Sequence, residues 1–173
     1  MRPFSLHSWL LRRAGIDERI LLRPNVEIKV FDGDSDRVIQ EVETHNLITD
    51  VGIDAHWQLI GYPSSDIPSW CATPQYIAVG TGATAPAAGD TELETEVFRT
   101  SITRRNPQAA THAIEFYLFL TTADANDVTL TEAGVFNLPS EGPMWARATY
   151  AGIDKTALVS VQYRWTWTYG LGA

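Results

Sequence analysis

The strongest constraint on the fold lies near the C-terminal end. From Ala157 to Tyr169 the chain alternates, with Ala157, Val159, Val161, Tyr163, Trp165, Trp167 and Tyr169 on one set of positions. Leu158, Ser160, Gln162, Arg164, Thr166 and Thr168 occupy the other. Period two is the mark of a strand, whose successive side chains point to opposite faces. A helix would scatter these rings around its circumference. The aromatic face must be covered by a second layer, and a slip of one residue would turn every ring to water.

The same period recurs upstream. Val26–Phe31 reads as a half-buried strand, and Asp32-Gly-Asp-Ser-Asp36 turns it into a second, Val38–Val42. Tyr76–Val79, Val97–Thr103, Thr111–Thr122, Val128–Phe136 and Met144–Tyr150 read as further strands. Thr111–Thr122 is apolar on both faces, which makes it central or part of an interface. Within Val128–Phe136, Glu132-Ala-Gly134 predicts a bulge at the glycine. One helix is expected, capped by Thr49 or Asp50 and carrying Ile53, His56, Trp57 and Ile60 on one face. Gly61–Pro74 holds three prolines and reads as a loop. No repeating strand–helix–strand unit is present, which argues against a parallel α/β fold. The expectation is an all-β fold: an antiparallel β-sandwich, jelly-roll-like, with one short helix. Residues 25–173 form that domain, and residues 1–24 an N-terminal arm.

Tyr76–Leu93 is the pivot of the pattern: a short strand, Gly80-Thr-Gly82, a run of small residues, then Asp90-Thr-Glu-Leu93. Gly80 and Gly82 permit positive φ or a close approach of backbone, although two glycines also mark an ordinary strand exit. A dinucleotide site would need a third glycine, a following helix and a distal acid, and these are missing. Pro86 stiffens the crossing, and Asp90 is placed to cap a helical turn.

Charge separates the arm from the body. Residues 1–24 hold five arginines against Asp17 and Glu18, a net +3, whereas the rest of the chain carries −11. Phe4, Leu6, Trp9, Leu10 and Leu11 fall at helical spacing. About ten residues of helix are marginal alone, so the arm must dock on its own domain or on a partner. Phe4, Trp9, Leu10, Arg12 and Arg13 are the candidate partner-binding residues, with an acidic sister subunit the natural surface. The acidic body argues against nucleic acid as the partner. No apolar run is long enough for a membrane span, and His7 and Ser8 break what would be the core of a secretion signal.

The residues point to no catalytic centre and no cofactor. There is no nucleophile elbow, P-loop, paired histidine motif or cysteine cluster. Cys71 is the sole cysteine and has no histidine near it in sequence. Asp32, Asp34, Asp36 and Glu43 sit at calcium-loop positions, but Arg37 replaces the required glycine, so a plain turn is the simpler reading and ion binding stays open. His45 and His56 lack a second ligand at metal spacing. Asp90, Glu92, Glu94, Glu96 and Glu115 offer acids for glycoside cleavage, or a charged surface with Arg99, Arg104 and Arg105. Glu132, beside Gly134, calls for an arginine or backbone N–H partner. Trp57, Trp70, Trp145, Trp165 and Trp167 are either sugar-stacking faces or core and interface rings.

Taken in order, several segments form a recognisable series. They are His45-Asn-Leu-Ile-Thr-Asp-Val-Gly52, Tyr76-Ile-Ala-Val-Gly-Thr-Gly82, Asp90-Thr-Glu-Leu-Glu-Thr-Glu96 with Arg99, and Thr131-Glu-Ala-Gly-Val-Phe136. Met144-Trp-Ala-Arg147, Lys155-Thr156 and Val161-Gln-Tyr-Arg-Trp-Thr-Trp167 complete it. Over residues 44–169 this resembles tailed-bacteriophage virion proteins: the attachment module of tail-collar fibres, and small fibre or decoration proteins. The resemblance implies a non-catalytic, β-rich particle component in which Gly80, Gly82, Arg99, Glu132 and Gly134 are architectural. It implies trimers or rings, contacts with other virion proteins, and a place in a virion assembled in the host cytoplasm. No receptor-binding shaft follows, which favours an adaptor, collar or decoration role. The alternative is a carbohydrate-binding module using exposed tryptophans, and a more distant one a small β-sandwich hydrolase.

Overall fold

The structure, a computed structural model, describes residues 20–68 and 70–171. The arm residues Phe4, Trp9, Leu10, Arg12 and Arg13 lie outside the described residues. The two layers are five-stranded sheets, antiparallel throughout. The first contains β1 (Ile20–Asp32), β2 (Val38–Thr44), β6 (Arg104–Gln108), β7 (Ala113–Leu120) and β10 (Val159–Leu171), in the order β2-β1-β10-β7-β6. The second contains β3 (Leu47–Ile48), β4 (Tyr76–Gly80), β5 (Glu96–Ser101), β8 (Val128–Phe136) and β9 (Met144–Lys155), in the order β3-β9-β8-β4-β5. The chain is an all-β sandwich, with one α-helix, α1 (Asp50–Gly61), among the described residues. None of these residues forms a helix long and apolar enough to cross a membrane.

The alternating C-terminal segment becomes β10, the middle of the first sheet. It pairs with β1 from Ile20↔Leu171 to Asp32↔Val159, and with β7 from Val161↔Leu120 to Thr168↔Ala113. Val161, Tyr163, Trp165 and Trp167 are buried against Ile77, Val79, Leu130, Val135 and Ile153 of the second sheet. Trp167 meets Phe116 edge-on at 4.9 Å and stacks with Trp145 at 6.1 Å. The alternation therefore reports the core directly.

Four expectations are corrected. Ile20–Pro24, read as arm, open β1, because the pairing with β10 extends past the clearly alternating segment. The strand expected to run to Thr103 stops at Ser101, and the chain crosses to the first sheet as β6. β6 is polar and contains Pro107, which suits an edge strand that needs fewer ladder bonds. No helical turn follows Asp90. Its carboxylate instead accepts the Ala87 N–H within a turn at 2.9 Å. Lastly, Gly134 is not bulged: it pairs in regular register with Arg147 and Ala78. Glycine stands there because Leu93, Met144 and Phe136 close over it, each 3.0 Å from where a Cβ would sit. The irregularities fall on β9, where residues 150–152 oppose Thr131 and Trp145 is the extra residue between Met144 and Ala146.

The helix is clamped to β9 by small residues. Thr49 caps it, accepting the Gly52 N–H at 3.0 Å and donating to the Met144 carbonyl. A Cβ at Gly52 would lie 2.2 Å from the Trp145 carbonyl oxygen. Gly52 and Ala55 face the core, while Ile53, Trp57 and Ile60 turn outward. Gly52→Ala should cost about 1–3 kcal/mol by forcing α1 away from β9. Gly61→Ala, with nothing within 4 Å, should be neutral or slightly stabilising. Urea unfolding of the two variants checks the contrast.

Candidate functional site

Two features stand out on the second sheet and its flank: a buried acid–arginine knot and an open apolar groove. The knot lies under the loop 81–95. Glu132 of β8 is fully buried on the face of the sheet away from the main core. Its Oε1 accepts N–H bonds from Gly82 at 3.0 Å and Thr95 at 2.7 Å. Its Oε2 accepts the Glu94 N–H at 3.1 Å and Arg147 Nε at 3.0 Å. Arg147, also buried, reaches Asp90 at 2.8 Å. Glu94 receives the N–H groups of Ala83 and Thr84, at 2.9 and 2.8 Å. One carboxylate and one guanidinium thus fasten both ends of the loop to β8 and β9.

The glycines follow from this geometry. A Cβ at Gly80 or Gly82 would lie 2.6 or 2.5 Å from Glu132 Oε1. Their role is close approach, since neither has positive φ. Fastened down, the loop inserts Leu93 against Ala78, Phe136 and Met144 as a second small core. Arg99 closes the neighbouring side. Its guanidinium lies 3.6 Å from the centroid of the Phe136 ring, bonds Glu96, and donates to the Leu138 and Glu141 carbonyls. The five residues singled out in sequence, Gly80, Gly82, Arg99, Glu132 and Gly134, therefore border one loop-covered face. Arg147, the main partner of Glu132, ends the Met144–Arg147 motif, which by itself predicts no role for it. No sequence signal singles it out, because the register that sets Gly134 opposite Arg147 and Glu132 opposite Thr149 comes only with the fold.

The other candidate acids do not converge. Asp32 is held by Arg37 in the β1–β2 hairpin, and Glu115 is engaged by Asn106, Gln108 and Tyr117. Among the described residues no three His, Cys, Asp or Glu side chains are grouped to hold a metal. His56 is partly buried, bonds the Tyr169 hydroxyl at 3.0 Å, and is pushed below the usual histidine range by desolvation. Cys71 is buried, donates to the Ala55 carbonyl, and is pushed up by desolvation, the opposite of an activated thiol. Of the five tryptophans offered to a sugar, Trp145, Trp165 and Trp167 lie in the core, and only Trp57 and Trp70 are exposed.

The groove, of about 650 Å³, runs between α1 and the neighbouring ends of β1 and β3. Leu22, Pro24 and Leu47 line one side and Ile53, Trp57 and Ile60 the other. Ile53 is 54% exposed, Trp57 50% and Ile60 79%. Asn46 also lines it, only 6% exposed, and neither end of its carboxamide has a hydrogen-bond partner among the described residues. Comparison with protein-family models, with curated proteins and with solved structures found no match for this chain.

The knot generates two expectations. Glu132→Gln keeps the shape but turns one acceptor into a donor facing N–H groups. It should lower stability by about 3–5 kcal/mol in urea unfolding and open loop 81–95 to proteolysis. The second concerns acid. At Asp90, burial pushes the carboxyl up, but the Ala87 N–H and Arg147 outweigh it and hold it low. At Glu94, the Thr84 and Ala83 N–H groups and then Arg147 do the same. Groups held low in the fold add stability above their unfolded pKa and lose it as pH falls through the folded one. Hydrogen exchange at Ala83 and Thr84, relative to the core strands, should stay slow from about pH 7 to about pH 5 and accelerate below about pH 4.

Proposed function

We propose that the chain is a non-enzymatic structural subunit of a tailed-phage particle: an adaptor, collar, fibre-attachment or decoration part. It joins copies of itself and other virion proteins through its N-terminal arm and its exposed sheet edges. The observation that carries this reading is the apolar groove beside α1. The helix spends Gly52 and Ala55 on its own core and presents Ile53, Trp57 and Ile60 outward. Contiguous apolar surface of that kind is a mark of association.

The acid–arginine knot supports the same reading. Both Glu132 oxygens are taken up by main-chain N–H groups and Arg147, an arrangement that holds a loop rather than moves a proton. The edge strand β2 adds Val38 and Ile39 as exposed apolar residues beside Glu41 and Glu43, so pairing there would be selective rather than indiscriminate. The order of motifs over residues 44–169 gives the particle context.

Sedimentation velocity over a wide concentration range tests the proposal. Growth of a defined trimer or ring with concentration is the expected result. A compact monomer at every concentration, with residues 1–19 already ordered on it, would sink it.

A further inference from the structure

We propose that the groove beside α1 is the seat for residues 4–11 of a second copy of this chain. The choice of a second copy rests on the assembly role proposed above. The pairing of segment and groove rests on the chemistry of the two.

The groove offers apolar walls. Ile53, Trp57 and Ile60 stand on one side, Leu22 and Leu47 on the other. With so much exposed apolar surface in one place, the matching occupant is a short apolar segment.

Residues 4–11 meet that description, with Phe4, Leu6, Trp9, Leu10 and Leu11 in one short run. Charge agrees. The stretch 45–70, which contains α1, holds Asp50, Asp54 and Asp66 and no lysine or arginine. Arg12 and Arg13 directly follow the apolar run. Position agrees as well. Residues 1–19 lead into β1 at Ile20, and β1 supplies Leu22 and Pro24 to the groove wall. The arm thus joins the described fold two residues before the groove wall begins. Exchange of arms between copies closes a dimer when it is reciprocal and a ring when each arm passes to the next copy.

Single-cysteine chains separate the cases. Trp9→Cys and Ile60→Cys are made in different full-length chains, and Cys71 stays because it is buried. Mixed under oxidising conditions, they should give a heterodisulfide dimer, and Ile53→Asp in the receiving chain should lower its yield about tenfold by placing a charge against the apolar run. Ile53 and Ile60 are exposed, so both variants keep the core intact. A chain carrying both substitutions that closes only within itself would overturn the second-copy seat. Absence of any disulfide between the two introduced thiols would overturn the pairing altogether, as would a yield indifferent to Ile53→Asp. If the links fail while sedimentation still shows oligomers, the assembly role stands and this seat alone falls.

Discussion

Burying the Glu132 carboxylate costs several kcal/mol unless protein groups replace the water it loses. Those groups come from three places far apart in sequence: Gly82, the Glu94–Thr95 backbone and Arg147. Each is useful only when the others are in place. Without the loop, the acid faces solvent on one side and leaves Arg147 in search of charge. Without Arg147, an uncompensated charge sits under a lid. The knot thereby couples the conformation of the crossing 81–95 to the pairing of β8 with β9. It also explains why a crossing of Gly, Ala, Thr and Pro, with little side chain to bury, follows one path.

The loop in turn changes what the second sheet is. An antiparallel sheet commonly buries one face and wets the other. Here Leu93 and Arg99 cover Ala78, Phe136 and Met144, so β4 and β8 are covered on both sides. The buried Lys155 plays a smaller part of the same kind at the far end of β9. Its ammonium donates to Asn126 Oδ1 at 2.7 Å and the Thr156 carbonyl at 3.0 Å, tying the 121–127 turn to the β9–β10 connection. Polar groups therefore fix the loops, while the aromatic rows of β10 fix the layers.

What could be read from the sequence followed the strength of its periodicity. The alternation in β10 and β1 is dictated by burial on one face, and it placed Tyr163, Trp165 and Val26 correctly because nothing competes with that demand. The N-cap Thr49 was legible for the same local reason. β6 was not: Arg104-Arg105-Asn-Pro-Gln has no apolar face, and its strand character comes entirely from the free edge of β7. Gly134 was misread because a strand glycine signals either a bulge or a crowded neighbour, and the crowding comes from Leu93 and Met144, remote in sequence. The partner of Glu132 had to exist on physical grounds, yet only the fold brings Arg147 beside it. The outward turn of Ile53, Trp57 and Ile60 was equally hidden, since a helical stripe does not say which of its faces meets the core.

The ladder between β1 and β10 has a consequence for how the molecule comes into being. The strand at the heart of the first sheet is synthesised after every other strand of the sandwich, and its neighbour β1 before them all. Until Val159–Leu171 emerges, β1 has among the described strands only its hairpin partner β2 beside it, and the inner faces of both layers wait uncovered. Long sequence separation slows the search for such contacts. While the strands between them are being made, nascent chains should thus persist as an open, chaperone-accessible half-sandwich, and close in one late step.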